Sequence, residues 1–517
     1  MRKIITMKNY KYLKGSLLIL LVLSCSVKPD RLIDQIVNTN YGKVKGAVNE
    51  SGTVVSFKGI PFAAPPVGNL RWREPQPPSS WEGIRDATKF CPSCIQNRIY
   101  THLPNGPWTE EFMVQDSISE DCLFLNIWTP AKSASDKLPI LVFLHGGAFT
   151  EGSGSIDVYN GEELAKKGII VITINYRLGA LGFLAHPELT AESPNHVSGN
   201  YGFLDQIAAL KWIKENISEF GGDPAHVTIA GQSAGASSVR ALIISPLARG
   251  LFHGAITESG STFPSGRQSE RTLSEGEKQG VEFAKSKGAS SIAELRAIPA
   301  MDIIAKDPAN PGLHFGGVLD GYFQTGDLLS VFAEGKQNDT PFMSGMNADE
   351  TRYYGSTGKD FEKLYPSASK EEEAAAVKLA GQEQSRLSTW LWMEYRSKTS
   401  KTKAYEYYFD RAIPWPEHPE FGAFHTGEVP YVFNNIKMLR DHKMEKTDII
   451  VADRISSYWV NFVRTGDPNG PGLPVWEPFE NGKYEVMRLG EKMGMIPISS
   501  DEEKLRFLKE QLLGRDN

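Results

Sequence analysis

One stretch, Val227-Thr228-Ile229-Ala230-Gly231-Gln232-Ser233-Ala234-Gly235, constrains the fold more than any other. An apolar run of strand type enters G-x-S-x-G and leaves into a helix-capable segment, Ala236 to Ile244. A serine on so sharp a strand-to-helix turn is pushed out of the sheet, and only glycine at the flanking positions leaves room for the turn. The helix that follows aims its positive end at the serine. Other runs of buried-strand type are Ile140 to Leu144, Ile169 to Ile174, Gly254 to Glu258, Pro341 to Gly345 and Ala404 to Phe409. Between two of them, Phe203, Ile207, Leu210, Ile213 and Ile217 recur every three or four positions and predict a helix from Phe203 to about Glu219. Strands alternating with helices mean a mostly parallel sheet covered on both faces.

The chain has 517 residues, 40% hydrophobic and 23% charged, which excludes disorder, collagen and coiled coil as its main state. The segments Arg267 to Ala305 and Lys359 to Ser397 are charged and helical in pattern and predict cap-like insertions over the sheet. No Pro/Ser-rich linker or internal repeat divides the body, so residues 39–517 are expected to form one large domain; a division near Gln268 is the weaker alternative.

Directly after the strand Ile140 to Leu144 stands His145-Gly146-Gly147-Ala148-Phe149. Acyl transfer must stabilise a negative oxygen, and a glycine-rich loop lets backbone N–H groups approach it. The nucleophile needs a base, and the base an orienting acid, in the chain order Ser, acid, His. Downstream of Ser233 the bases on offer are His253, His314, His418, His425 and His442. His425 sits in a Gly-bounded loop after the Ala404 to Phe409 strand, and His418 is its main rival. Asp349 and Glu350 follow the Pro341 to Gly345 strand at the end where such sites form, and either carboxylate could serve. Among the aromatic residues, Phe149 is expected near the site because it adjoins the glycine-rich loop, whereas Trp108, Trp390, Trp392, Trp415 and Phe421 could line a pocket or simply pack.

The amino end reads as an address. Five basic residues and no acid in the first 24, an apolar run from Leu17 to Leu23, and Ser24-Cys25 form the parts of a secretory signal. The run is shorter than the roughly 20 residues a membrane span needs. Val22-Leu23-Ser24-Cys25 resembles a bacterial lipobox, which implies lipidation at Cys25, a signal peptide over 1–24 and a polar tether over 25–38. Either a lipoprotein or an ordinary cleaved signal puts the mature chain outside the cytoplasm, in the cell envelope. Removing the first 24 residues takes the formal charge from −6 to −11, which argues against nucleic acid as a partner.

Cys91, Cys94 and Cys122 remain. A zinc site would need a second ligand pair, and His102 alone is a poor fourth ligand. An oxidising compartment favours one disulfide instead, and a Cys94–Cys122 bond would contribute about 3 to 4 kcal/mol by loop entropy, leaving Cys91 over.

From about Tyr41 to Val475 the sequence resembles the type-B carboxylesterases, the family of cholinesterases and bacterial para-nitrobenzyl esterases. The resemblance rests on separated motifs in order: Phe57-Lys58-Gly59-Ile60-Pro61-Phe62-Ala63, Arg71-Trp72, Ser119-Glu120-Asp121-Cys122 running on to Ile127, His145 to Phe149, Asn175-Tyr176-Arg177-Leu178-Gly179, Gly199 to Gln206, Phe220-Gly221-Gly222-Asp223-Pro224 and Gly231 to Gly235. It implies the α/β-hydrolase fold and hydrolysis of a small-molecule or glycan-linked ester without metal or organic cofactor. It further implies Ser233 as nucleophile, Glu350 as acid and His425, in the His-x-x-Glu-x-Pro-Tyr segment, as base. The implied oxyanion donors are the N–H groups of Gly147, Ala148 and Ala234; Ser259 is implied to hydrogen-bond the acid, and Cys94 to pair with Cys122. Two departures stand out: Gln232 where the family commonly has Glu, and Ala148 where it commonly has Gly. The competing readings are a non-catalytic cholinesterase-like binding protein, against which all three triad positions are filled, and a peptidase or amidase on the same triad.

Overall fold

The computed structural model describes residues 32–97, 106–260, 263, 270–305 and 314–514. The expected signal peptide, Cys25 and the first part of the tether lie outside the described residues. Among the described residues, eleven strands form the central sheet: β1 (Ala47–Val48), β2 (Val55–Pro61), β3 (Phe124–Thr129), β4 (Leu138–Leu144), β5 (Ile170–Ile174), β6 (Gly222–Gln232), β7 (Gly254–Glu258), β8 (Phe342–Asn347), β9 (Ala404–Phe409), β10 (Glu485–Leu489) and β11 (Gly494–Pro497). Their spatial order is β11-β10-β9-β8-β7-β6-β4-β5-β3-β2-β1. The run from β5 through β4 and β6 to β10 is parallel, and antiparallel strands close both edges. Winding reverses at β4, with β5 on one side and β6 on the other, so the carboxyl ends of β4 and β6 open at a switch point where open α/β sheets form their sites.

The principal helices are α1 (Tyr201–Asn216), α2 (Ala234–Ile244), α3 (Leu273–Ser286), α4 (Lys370–Ser397) and α5 (Lys446–Thr465). Alternate side chains of the buried strands enter two cores, one on each face. Ile140, Val142 and Leu144 of β4 pack with Phe203, Ile207, Leu210 and Ile213 of α1 and Val239 and Leu242 of α2. Leu141 and Phe143 pack on the other face with Val451, Ile455, Trp459 and Phe462 of α5. Burial on both faces is why these strands read as unbroken apolar runs rather than alternating ones. Arg267 to Ala305 and Lys359 to Ser397 are helical where described, and Phe283, Ile292 and Leu295 of the first enter the core shared with α1.

Two motif pairs are ion pairs tying loops to this frame, the first of them buried. Arg177, after β5, grips Asp205 of α1 through Nε (2.8 Å) and Nη2 (2.7 Å), and Arg71 grips Glu120 through both Nε and Nη2 at 2.6 Å. Cys94 and Cys122 form the disulfide, and Cys91 is free.

The tether is expected over 25–38, but from residue 32 onward this stretch is part of the body. Ile33 donates its N–H to the Ala131 carbonyl, Val37 is buried, and Ile36–Thr39 pairs with Gly42–Lys45. Within this stretch stand two apolar pairs, Leu32-Ile33 and Ile36-Val37, of which Ile33 and Val37 find the core and bring the segment into the body.

Candidate active site

The site grows from the close approach of β6 and α2 to the end of β4. A side chain at Gly235 would collide with the Leu144 carbonyl, and one at Gly231 with the backbone of Gly235. The two glycines of G-x-S-x-G are therefore fixed by sterics. Between them Ser233 holds φ 56°, ψ −120°, a region that non-glycine residues enter only when their surroundings enforce it. Here the enforcement includes its own N–H, donated to the Glu258 carbonyl at 2.8 Å, and its carbonyl, which accepts from Ser237 N–H. Gly146 lies against the same turn: a Cβ there would come within 2.8 Å of the Gln232 carbonyl. Gly147 (φ 109°), Ala148 (φ 52°) and Phe149 (φ 60°) follow in left-handed backbone, a bend anchored by Thr150 and Glu151 N–H on the Gly147 carbonyl. Among the described residues, the N–H groups of Gly147, Ala148 and Ala234 donate to no protein acceptor.

His145, at the head of this loop, is fully buried and stacked on Tyr176, with Nδ1 bonded to the Gly146 carbonyl. Burial pulls its pKa down to about 4, so it is a neutral structural imidazole.

The other half of the site comes from the ends of β8 and β9. Glu350 and His425 are brought together: Oε2 bonds His425 Nδ1, while Oε1 accepts from Ser259 Oγ (2.7 Å) and Asn347 N–H (2.5 Å). Asp349, the alternative acid, turns elsewhere. It accepts the Ala423 N–H (2.7 Å) and pairs with Lys378 of α4, clamping the loop that carries His425. Gly422 makes that clamp possible, because a side chain there would strike the Asp349 carboxylate. Trp108 Nε1 pins the loop from the other side, donating to the His425 carbonyl (3.2 Å). Of the rival histidines, His418 pairs with Glu420 at 3.1 Å and His442 packs on Trp415.

With Nδ1 donating to Glu350, His425 Nε2 is an acceptor, and the Gln232 side-chain amide donates to it at 3.2 Å. The position that departs from the commoner Glu thus lies directly against His425. Burial opposes the charged form of His425, but the hydrogen bond and charge of Glu350, with Glu428 behind it, outweigh burial and hold its pKa above the ordinary value. Glu428 itself, bonded to Asn347 Nδ2, is pushed up to about 7 by burial and by the charge of Glu350. Behind it, burial and then Glu428 push Glu258 well above the usual carboxylate range, although Trp459 Nε1 donates to it at 2.7 Å. Glu428 and Asn347 are the functional neighbours that sequence reasoning missed. Glu428 lies within the His-x-x-Glu-x-Pro-Tyr segment, which was the available signal.

A cavity of about 530 Å3 opens on His425 and Glu350, with Trp108, Phe421 and Phe424 among its walls. Phe149 packs on Phe183 and Phe203, and Trp390 and Trp392 are buried core residues rather than pocket walls.

The model of the carboxylesterase family matches residues 33–401 and 368–508. The chain belongs to the carboxylesterase family. A solved structure of PNB esterase superposes with a TM-score of 0.75 at 30% identity, covering 93% of this chain and 99% of that one. The chain is 37% identical to the fumonisin B1 esterase of Sphingopyxis macrogoltabida over 88% of its own length and 86% of the relative's. It is 35% identical to the para-nitrobenzyl esterase of Bacillus subtilis (strain 168), over 91% and 97% of the two chains. This family member has the α/β-hydrolase fold and is a carboxylic ester hydrolase.

Proposed function

We infer that the protein hydrolyses esters in two steps through Ser233, His425 and Glu350. His425 Nε2 takes the hydroxyl proton as Ser233 Oγ bonds to the ester carbonyl carbon, exchanging its Gln232 donor for the serine. The N–H groups of Gly147, Ala148 and Ala234 hold the oxyanion, with the positive end of α2 behind Ala234. As the carbon–oxygen bond to the alcohol breaks, His425 returns the proton to the departing oxygen; water then repeats the sequence to release the acid and free the serine. Glu350 fixes the ring tautomer and stabilises the imidazolium. The observation that carries this reading is the half-buried Glu350–His425 pair, whose Nε2 lies 3.2 Å from the amide of Gln232, the residue next to the strained Ser233 turn.

The test is intact mass after exposure to a fluorophosphonate. One adduct on residues 26–517 that is lost in Ser233→Ala is expected; no adduct on folded protein would overturn the reading in favour of a binding protein.

The names of the relatives point to small-molecule esters, benzyl esters included, as the first substrates to try. The basic and apolar amino end further supports export with a lipid anchor at Cys25, and the Cys94–Cys122 disulfide fits an oxidising compartment. Incorporation of a labelled fatty acid that is lost in Cys25→Ala would support the anchor, and equal labelling of both forms would refute it.

A further inference from the structure

Five charged or titratable side chains line the cavity at His425: Asp349, Glu350, Arg352, Glu420 and His425. Four are already engaged. Asp349 holds Ala423 N–H and Lys378, Glu350 and His425 hold each other, and Glu420 holds His418. Among the described residues, the Arg352 guanidinium has neither a hydrogen-bonded nor an ion-paired partner.

Its backbone, by contrast, is held tightly. A Cβ at Gly381 of α4 would come within 2.9 Å of Tyr353 N and 3.1 Å of Arg352 C, so helix and segment touch with no side chain between them. Tyr354 N–H then donates to Gln384 Oε1 at 2.9 Å. A planar, permanently charged group is thus mounted two residues after Glu350, on a segment docked to a helix, at the wall of the cavity that opens on His425. Trp108, Phe421 and Phe424 supply apolar surface on the same cavity. An open cavity with an apolar wall of Trp108, Phe421 and Phe424 and one cation that no described protein group pairs suits an ester with an apolar body and a negatively charged group.

Resting on the hydrolase reading above, we propose that Arg352 is a specificity-determining residue that selects esters bearing an anionic group, a carboxylate in the first instance, by pairing with that group while the ester carbonyl lies at Ser233. The anion could be carried by the acid or by the alcohol half of the substrate.

The experiment compares three probes on wild type, Arg352→Gln and Arg352→Lys: 4-nitrophenyl butyrate (neutral), 4-nitrophenyl hemiglutarate (anionic acyl half) and 4-(butyryloxy)benzoate (anionic alcohol half). Arg352→Gln is expected to lower kcat/KM about tenfold on at least one anionic probe, the size of one charge-assisted hydrogen bond, while the neutral probe stays within about twofold. The loss should fall on KM rather than kcat, since the pairing is made equally in the ground and transition states. Which anionic probe responds identifies the half of the substrate that carries the charge. Arg352→Lys should recover part of the loss, and added salt should erode the wild-type advantage because Arg352 is exposed. Equal effects on all three probes, or none on either anionic probe, would overturn the proposal while leaving the hydrolase reading intact. No turnover of any probe by wild type, with no fluorophosphonate adduct, would overturn the hydrolase reading and this proposal with it.

Discussion

The two halves of the site are made of different materials. The half around Ser233 is backbone: two glycines set by steric contact, a strained turn, and N–H groups at the end of β4 and the start of α2. The half around His425 is mostly side chain: Glu350 bonds the imidazole, Asn347 and Glu428 stand behind Glu350, and Asp349 and Trp108 hold the loop by its backbone. In the first half geometry is part of the fold and cannot be lost without damaging it. In the second, chemistry can be removed while the scaffold stands.

That contrast can be broken in four ways. Ser233→Ala removes the one side chain the backbone half presents and should lower aryl-ester turnover by at least about 10^4-fold with the unfolding midpoint unchanged. Glu350→Gln keeps the shape but deprives His425 of its anionic partner; a loss of about 10^3- to 10^4-fold in kcat with near-normal thermal unfolding is expected. Substantial loss of folding in that variant would show the side-chain half to be structural as well. Gly235→Ala drives a methyl into the Leu144 carbonyl, and denaturant unfolding should report a cost of about 2 to 4 kcal/mol, activity falling with stability. A stable Gly235→Ala protein with full activity would end the claim that sterics fix this half. The smallest effect is Gln232→Glu. A negative charge beside Nε2 favours the imidazolium, and the base must be neutral to act, so the acid limb of the kcat/KM profile should move to higher pH. In the wild type that limb is expected above the ordinary histidine value, because Glu350 and Glu428 together outweigh burial at His425. An unmoved limb in Gln232→Glu would mean that another group titrates.

The same division explains what could be read from the sequence. The Ser233 turn, the glycine loop and the strands β4 to β9 are legible because each depends on residues adjacent in the chain: an apolar run, a glycine, a helix start. Choosing between Asp349 and Glu350 was beyond local pattern. They are neighbours at the same strand end, and what separates them is contact with Lys378 and Ala423 on one side and His425 on the other. The family resemblance pointed to Glu350, and it is Glu350 that bonds His425 Nδ1. The contact of Gln232 with His425 spans 193 residues, so no spacing rule announces it. Trp390 and Trp392 illustrate the converse: bulky aromatics look like pocket walls in sequence, yet the two sheet faces need large side chains to fill them. Ile33 and Val37 escaped notice because Leu32-Ile33 and Ile36-Val37 span only six residues, too short a run for a period to identify an element.

The strand order carries a consequence of its own. From β6 outward, β7, β8, β9 and β10 are laid beside one another in the order in which they occur in the chain. A molecule that has assembled its sheet only as far as β7 already holds Ser233 in its turn, but Glu350 and His425 lie beyond the ends of β8 and β9 and are not yet available. The proposed arrangement of Ser233, His425 and Glu350 is therefore a property of the finished sheet, complete only once β8 and β9 stand beside β7.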